Sequence, residues 1–451
     1  MISEGILLGS SVRSLTVTLP AVRMFDKGWG CRLICRRNLL GVPLFLLATT
    51  SCAAAFAAMS AEQEQALYLQ RYELQEQAAQ AGGGLPGYDP LETVVGARHA
   101  QPLPMASNRA IAAQALQAAA RYAADRNSSA LIVWRDGKIE SEDYFAANNR
   151  DSLITSKSLA KPVTALLVGR AIAQGYIRSL NQPVADFVTE WQGDPVRTKI
   201  LVRHLLDMRS GFLPQGPGRG PDDVLNRAYL HPRHDEVIIR EYPVTSPPGT
   251  RYEYANANAE LVATLIERAT AQRYGDYLSK ALLLPIGAKG GSIWVNRPGG
   301  TAHSGCCLLL PAQSWLRMGI LLLHDGVWQG RRLLPKGFVA EMTTATKENP
   351  YYGLGVWIAG DYIERRGAAN LSIPIGKVLH SAPYAAKDLF LFDGNGSQVV
   401  YIVPSQKLVV LRTGDRPPAN HEWDNSYLPN MLINAIRRNP GELAPEPQRR
   451  P

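Results

Sequence analysis

Two groups of strand-forming residues, about 250 positions apart, constrain the fold of this chain more than any other feature. Residues 129–139 form an apolar run, an Asp-Gly turn and a second strand, which is the pattern of a β-hairpin. Apolar runs separated by tight turns recur at 389–392, 399–403 and 408–411. The intervening chain carries helical patterns at 158–175, 257–272 and 311–323. The sequence therefore predicts an α+β fold (an α/β sandwich), with an antiparallel β-sheet flanked by helices and a helical subdomain inserted between early and late strands.

A serine and a lysine three positions apart, Ser158 and Lys161, precede the apolar run 162–168. On a helix this spacing places the hydroxyl and the amine on one face, at an N-terminus whose N–H groups and dipole favour an oxyanion. This is the arrangement of a nucleophile beside its base. Pro162 is compatible with it only in the first helical turn. A chain of this length contains about one Ser-x-x-Lys match by chance, so an N-cap serine with a solvated lysine is the alternative interpretation.

About 100 residues later, Tyr254 and Asn256 form a Tyr-x-Asn segment that leads into the helix predicted at 257–272. They could bring a phenol and an amide to the same pocket, and a phenol near an ammonium group is driven toward its charged form. The alternative is that Tyr254 is a core tyrosine. The segment is therefore informative only together with Ser158 and Lys161.

The basic pair Arg36-Arg37 precedes an uncharged stretch, 39–58, that is rich in Leu, Phe and Ala and ends in small residues. This pattern is typical of an export signal, with cleavage after Ala55 or Ala57. We expect an exported protein, periplasmic or attached to the envelope, and interpret residues 1–23 as an over-extended start. Two alternatives keep it at a membrane, an uncleaved anchor formed by residues 36–58 or a lipidated Cys52.

Composition divides the rest of the chain into three parts. Residues 59–105 are expected to be a helical spacer and lead-in, residues 106–440 the globular domain, and residues 441–451 a disordered tail rich in Pro and charge.

The formal net charge is +9, but residues 1–58 supply +4 of it, from six basic and two acidic side chains. The other basic residues are scattered, so we expect no nucleic-acid partner.

Cysteine and histidine spacing gives no sign of a cofactor or a metal. Of the five cysteines, only Cys306 and Cys307 lie outside the N-terminal region, which excludes a disulfide-built scaffold. They are either two core thiols, which we expect, or a vicinal disulfide. His231 and His234 are possible metal ligands, but Pro232 interrupts the helix that would align them, so no metal site is expected. No phosphate-cradling glycine loop occurs, and no cofactor is expected.

Taken together, these segments resemble the serine hydrolases of the class C β-lactamase and penicillin-binding superfamily, in particular its esterase and 6-aminohexanoate-dimer hydrolase-like branch. The resemblance covers about residues 108–438. Besides Ser158-x-x-Lys161 and Tyr254-x-Asn256, it includes the segment 199–212 and the turn and strand at 394–404. It implies a β-lactamase/transpeptidase-like fold and makes residues 106–440 a serine hydrolase domain.

The resemblance also implies roles. Ser158 is the nucleophile, Lys161 takes its proton, and Tyr254 relays that proton to the leaving group and then activates water. Asn256 holds Lys161 and a substrate carbonyl. The backbone N–H groups of Ser158 and Ser397 form the oxyanion hole. Asn395 and Gly396 belong to the same substrate-facing turn, although Asn395 is about equally well explained by a need of the turn itself.

One departure from the family bears on the substrate. In β-lactamases and D,D-peptidases the third motif carries a lysine that meets the substrate carboxylate, whereas Gly394-Asn395-Gly396 supplies no cation here. The sequence therefore favours a small neutral ester or amide as substrate. The alternatives are a β-lactamase or D,D-peptidase, and a catalytically silent envelope binding protein. The oligomeric state does not follow from the sequence.

Overall fold

The computed structural model describes residues 59–80, 84–85, 87–99, 102–216, 218–367 and 377–437. The chain divides into two compact units, Met1–Ala55 and Phe56–Pro451, and the description that follows concerns the second. The expected export signal or anchor with Cys52, and the expected tail 441–451, lie outside the described residues. Within the described residues, no helix is both long enough and apolar enough to cross a membrane.

A six-stranded antiparallel sheet forms the centre of the domain, with strand order β3-β2-β14-β13-β12-β9. Its strands are β2 (Ser128–Arg135), β3 (Lys138–Tyr144), β9 (Trp357–Ile358), β12 (Phe390–Gly394), β13 (Gln398–Val403) and β14 (Leu408–Gly414). The early hairpin and the late strands meet where β2 pairs with β14, with Ile132 opposite Leu411. The expected fold class, including pairing of the two ends of the chain, is confirmed.

The helices of the described residues are α1 (Ala61–Gln80), α2 (Ala113–Ala124), α3 (Lys161–Ala173), α4 (Val202–Leu206), α5 (Val224–Leu230), α6 (His234–Arg240), α7 (Asn256–Thr270), α8 (Tyr274–Leu278), α9 (Ala312–Leu323), α10 (Phe338–Met342) and α11 (Tyr427–Asn434). Helices α9 and α2 pack on the two faces of the six-stranded sheet, and α11 packs against α2. On one face α9 packs so closely that a Cβ on Gly319 would lie 2.9 Å from side-chain atoms of Val400 and Val409. Leu116 of α2 and Leu432 of α11 belong to the buried cluster on the other face.

A smaller antiparallel sheet was not expected from the sequence. Its order is β1-β5-β6-β4, formed by β1 (Leu91–Val94), β4 (Leu153–Thr155), β5 (Gly291–Trp294) and β6 (Leu308–Pro311). Each strand has three or four residues, which is too short for an alternating pattern to be recognised. Two further pairs of short strands are β7 (Val327–Trp328) with β8 (Arg331–Arg332) and β10 (Arg365–Gly367) with β11 (Lys377–Leu379).

Within the expected helical spacer 59–105, helix α1 is present, and it packs against the domain. Arg71 is buried and donates to the carbonyl oxygens of Leu230, Asn296 and Asp89. Glu64 pairs with Arg233 at 2.7 Å. Residues before the globular core therefore help to hold the segments 229–235 and 294–303 in place.

Candidate active site

Ser158 lies at the junction between the small sheet and helix α3. Strand β4 ends at Thr155, a 3-10 turn spans Lys157–Ala160, and α3 begins at Lys161. A single helix starting at Ser158 was expected, so the start of the helix is corrected by three residues. Pro162 lies in the first turn of α3, where its missing N–H leaves no bond unmade, as expected. Helix α3 is buried on all sides from Lys161 to Ala171, which fixes the position of the turn.

The Lys161 side chain is buried, and its Nζ atom has three partners. It lies 3.0 Å from Ser158 Oγ, 2.8 Å from Asn256 Oδ1 and 3.1 Å from the Gly305 carbonyl oxygen. All three oxygens accept from Nζ, so Asn256 and Gly305 hold the amine beside the Ser158 hydroxyl. The arrangement is therefore suited to removing a proton from Ser158.

Tyr254 is a second hydrogen-bond partner of the serine hydroxyl. Its Oη atom donates to Ser158 Oγ at 3.0 Å, and Lys161 Nζ lies 5.0 Å from the centre of its ring. The residue precedes α7, and its carbonyl oxygen accepts a hydrogen bond from the Gln215 backbone N–H. Tyr254 is half-buried, whereas nearby Tyr252 is fully packed in the core. The phenol is thus positioned to exchange a proton with a group bound at Ser158.

Asn256 is the first residue of α7. Its Oδ1 accepts from Lys161, and within the described part of the chain its Nδ2 has no hydrogen-bond acceptor. This amide N–H₂ group is available for a substrate carbonyl.

The turn between β12 and β13 lies against the nucleophile turn. A Cβ atom on Gly394 would be 2.9 Å from the Leu159 backbone nitrogen and from the Ser156 carbonyl oxygen. Ser397 has φ 61°, in the left-handed region. Asn395 is exposed, and its Oδ1 accepts from the Gly396 backbone N–H at 2.9 Å, so Asn395 serves the turn itself.

Arg412 holds this turn from behind and was not identified from the sequence. Its guanidinium is fully buried and donates to the carbonyl oxygens of Gly396 and Ser397, the latter at 3.0 Å. Further bonds to Ser128 Oγ and the carbonyl oxygens of Arg126 and Asp415 use its remaining nitrogens. Arg412 therefore supports the backbone of the turn and is not directed at a substrate.

The loop before β6 supplies a second feature that sequence reasoning missed. Gly305 accepts from Lys161, and Ser156 Oγ donates to the carbonyl oxygen of Cys306, the next residue. A Cβ on Gly305 would lie 2.8 Å from Glu260 Oε1. Burial raises the pKa of Glu260, and the charges of His234 and Lys161 oppose that shift. No motif marks Gly305 in the sequence, because its function is performed by the backbone.

Cys306 and Cys307 are joined as a vicinal disulfide, so the expectation of two core thiols is wrong.

The two histidines considered as metal ligands face different neighbours. The His231 ring lies against Tyr68 at 5.5 Å, whereas His234 stacks on His303 at 4.0 Å.

A cleft of about 740 Å³ opens beside the nucleophile turn. Lys157, Asn395, Gly396 and Gln398 line it, together with residues of β2, β4 and the segment 414–416. Gln398 Nε2 donates to the Thr155 carbonyl oxygen, which joins the two walls at 2.6 Å. Of the predicted site residues, Asn395 and Gly396 line this cleft, whereas Ser158, Lys161, Tyr254 and Asn256 are not among its lining residues.

The site is a serine hydroxyl that is hydrogen-bonded to a buried lysine and to a tyrosine, just after a strand of an antiparallel sheet. This combination defines a serine hydrolase of the β-lactamase/transpeptidase fold. A sequence model of the family described as Beta-lactamase matches residues 112–425, and the chain belongs to this family.

Among curated proteins, the 6-aminohexanoate-dimer hydrolase of Paenarthrobacter ureafaciens is 27% identical over 226 residues, which are 47% of this chain and 56% of that protein. Esterase EstB of Burkholderia gladioli is 26% identical over 157 residues, 31% of this chain and 38% of that protein. The first match thus spans 56% of its relative, and the second spans 38%. A solved family VIII carboxylesterase covers 74% of this chain and 99% of its own, with TM-score 0.53 and 15% identity, a likeness of fold alone.

Proposed function

We propose that this protein is an exported hydrolase that cleaves a small neutral ester or amide through an acyl-enzyme on Ser158. The observation that carries the proposal is the convergence of Lys161 Nζ and Tyr254 Oη on Ser158 Oγ, each at 3.0 Å. Relatives named as an esterase and as a 6-aminohexanoate-dimer hydrolase support the same chemistry.

In the acylation step, Ser158 Oγ attacks the substrate carbonyl carbon while its proton passes to Lys161 Nζ. The resulting oxyanion is stabilised by the backbone N–H groups of Ser158 and Ser397, each contributing about 3 kcal/mol if it behaves like other oxyanion-hole donors. The tetrahedral intermediate then breaks the bond to the alkoxide or amine. Tyr254 gives its proton to that leaving group and is reprotonated by Lys161.

In the deacylation step, the same groups act in reverse on water. Tyr254 passes its proton to Lys161 and takes one from the water that attacks the acyl carbonyl. The second intermediate then breaks its bond to Ser158 Oγ, which releases the acid, and Lys161 returns the proton to Ser158. Asn256 keeps Lys161 in place through Oδ1 and can hold the acyl carbonyl through Nδ2.

The third motif itself supports a neutral substrate. Gly394 supplies no cation, and a Cβ atom there would lie 2.9 Å from the Leu159 backbone nitrogen and the Ser156 carbonyl oxygen, which leaves no room for a lysine side chain. Arg412, behind the same turn, donates only to protein oxygens. A β-lactam or D-Ala carboxylate would therefore find no cation at the motif position where this family usually provides one, and the cations that line the cleft are Lys157 and Arg416.

The test uses the full-length protein and a fluorophosphonate probe, with adduct detected by intact mass. Wild-type protein is expected to form one adduct and to turn over p-nitrophenyl butyrate, and Ser158→Ala is expected to lose both. Faster turnover of a chromogenic cephalosporin than of neutral esters would replace the esterase proposal with a β-lactamase. A folded protein that forms no adduct would instead favour the binding-protein alternative.

Export is proposed from residues 36–58 alone, and it has its own test. The N-terminus of protein recovered from the periplasmic and membrane fractions is expected to begin after Ala55 or Ala57. An intact N-terminus in the membrane fraction would favour the anchor, and a lipid mass on Cys52 would favour a lipoprotein.

A further inference from the structure

Glu260 is a buried carboxylate near the active site that the proposed mechanism leaves without a role. It is 2% exposed and lies on α7, one helical turn after Asn256. Residues four positions apart share one face of a helix. Since Asn256 Oδ1 accepts from Lys161 Nζ at 2.8 Å, Glu260 lies on the face of α7 that is turned toward the lysine.

The carboxylate of Glu260 faces the main chain of the loop before β6. The imidazole atoms His234 Nε2 and His303 Nδ1 lie 3.7 Å and 3.5 Å from Glu260 Oε2, which is too far for good hydrogen bonds. Burial raises the pKa of Glu260, and the backbone N–H groups of Gly305 and Ser304, which face the carboxylate, oppose that rise. Backbone N–H groups are strong partners for a buried carboxylate. The loop backbone is therefore what Glu260 holds.

Gly305 packs directly on this carboxylate. A Cβ atom on Gly305 would lie 2.8 Å from Glu260 Oε1 and 3.3 Å from Glu260 Cδ. The preceding residue adds a bond of its own, since Ser304 Oγ donates to the Ala259 carbonyl oxygen at 2.6 Å. The loop thus rests on the first turns of α7, and Glu260 is the side chain against which Gly305 lies.

The same loop holds the nucleophile turn and its lysine. The Gly305 carbonyl oxygen accepts from Lys161 Nζ at 3.1 Å. The carbonyl oxygen of Cys306, the next residue, accepts from Ser156 Oγ. A shift of the loop away from α7 would therefore displace an acceptor that keeps Lys161 Nζ beside Ser158.

We propose that Glu260 is a positioning residue for hydrolysis: its carboxylate holds Gly305 where the Gly305 carbonyl keeps Lys161 Nζ beside the nucleophile. The inference rests on the proposed function, in which Lys161 is the base. Glu260 itself neither touches the substrate nor exchanges a proton in this role. Helix α7 then supplies both restraints on the amine, one directly through Asn256 and one through Glu260 and the loop.

The test compares two substitutions of Glu260 in the full-length protein, with p-nitrophenyl butyrate as substrate. Glu260→Gln keeps one side-chain oxygen for a backbone N–H group, whereas Glu260→Leu keeps none. The kcat is expected to fall about fivefold in the first variant and about 25-fold in the second, since the loss of one hydrogen bond is worth about fivefold. KM should stay within about twofold, because Glu260 contacts no substrate and Lys161 serves both chemical steps.

The matched control lies on the same helix. The Glu267 carboxylate accepts from the Tyr274 backbone N–H at 2.9 Å and pairs with Arg273 at 3.0 Å, so these partners lie at the start of α8. Glu267→Gln should therefore retain kcat. Wild-type kcat in folded Glu260→Gln and Glu260→Leu proteins would overturn the proposal. Equal losses in the two would also overturn it, because they would assign the effect to the carboxylate charge, which both substitutions remove.

Gly305→Ala tests the same contact from the loop, and it decides the matter if neither Glu260 variant folds. The added Cβ would displace the loop from Glu260, so kcat should again fall with KM unchanged. A folded Gly305→Ala protein with wild-type kcat would refute the role of Glu260.

Fluorophosphonate labelling of Ser158 separates this inference from the proposed function. The labelling rate should fall in the same order as kcat, from wild type to Glu260→Gln to Glu260→Leu. Wild-type protein that forms no adduct would refute the hydrolase function and the role of Glu260 with it. A labelled wild type with unaffected Glu260 variants would refute only the role of Glu260.

Discussion

The Gly305 carbonyl oxygen accepts a hydrogen bond from Lys161 Nζ at 3.1 Å, although the two residues are 144 positions apart. Asn256 Oδ1 is a second acceptor for the same amine. Together the two oxygens hold Lys161 Nζ within hydrogen-bonding distance of Ser158 Oγ. The position of the lysine amine thus depends on a backbone oxygen in the loop before β6.

Removing the phenol hydroxyl of Tyr254 tests the proton relay. Tyr254→Phe should lower kcat for p-nitrophenyl butyrate by about 10²–10⁴-fold, since general acid–base catalysis is worth about that much. Tyr252→Phe is the matched control. It also removes one phenol hydroxyl, but from a residue two positions earlier whose ring packs against Tyr352. Equal losses in the two variants would mean that the effect comes from packing.

Arg412 is expected to matter for both stability and activity. Arg412→Met leaves the carbonyl oxygens of Gly396 and Ser397 without their donor and should lower the free energy of unfolding by at least about 3 kcal/mol. The kcat should fall as well, because the turn between β12 and β13, which carries the proposed oxyanion-hole N–H of Ser397, loses its support. Denaturant unfolding and ester kinetics measure the two effects, with exposed Arg331→Met as the control. A variant with unchanged kcat would show that the turn keeps its shape unaided.

Charge at the third motif should control discrimination against anionic substrates. Asn395→Lys adds an exposed cation beside the cleft, and it should improve kcat/KM for a carboxylate-bearing ester about fivefold relative to its neutral methyl ester. Asn395→Gln controls for the loss of the asparagine. A gain for both substrates alike would argue against an electrostatic cause.

Stability should fall in mildly acidic solution because of His204. Burial, followed by the charges of Arg209 and Arg203, lowers its pKa to about 4, and its Nδ1 accepts from the Leu201 backbone N–H. The unfolded chain, with a pKa of about 6.5, binds the proton first, so this stability is present above about pH 6.5. It is lost as the pH falls toward 4, by about 3 kcal/mol in total.

Urea unfolding of wild type and His204→Asn from pH 4 to pH 7.5 measures this effect. The asparagine can keep an acceptor for the Leu201 N–H without titrating, so its profile should be flatter. Parallel profiles would assign the acid sensitivity to other groups.

Sequence reasoning reached the main sheet and the side chains at the site because both leave a local pattern. Alternating or continuous apolar runs mark β2 and β12–β14, and the spacing of Ser158 and Lys161 follows from one turn of helix. Arg412 was not reached, because its bonds join residues up to 286 positions apart. Gly305 acts through a main-chain oxygen that every residue possesses.

The pairing of β2 with β14 has a consequence for how the protein is made. Ile132 meets Leu411 only after almost the whole described chain is available, and contacts of such long sequence separation form slowly. A nascent chain cannot close the sheet, or set the turn between β12 and β13 against the turn of Ser158, until β14 has left the ribosome. The hydrolase therefore gains its active site only after β14 has been made, and if the chain is exported unfolded, it does so on the far side of the membrane.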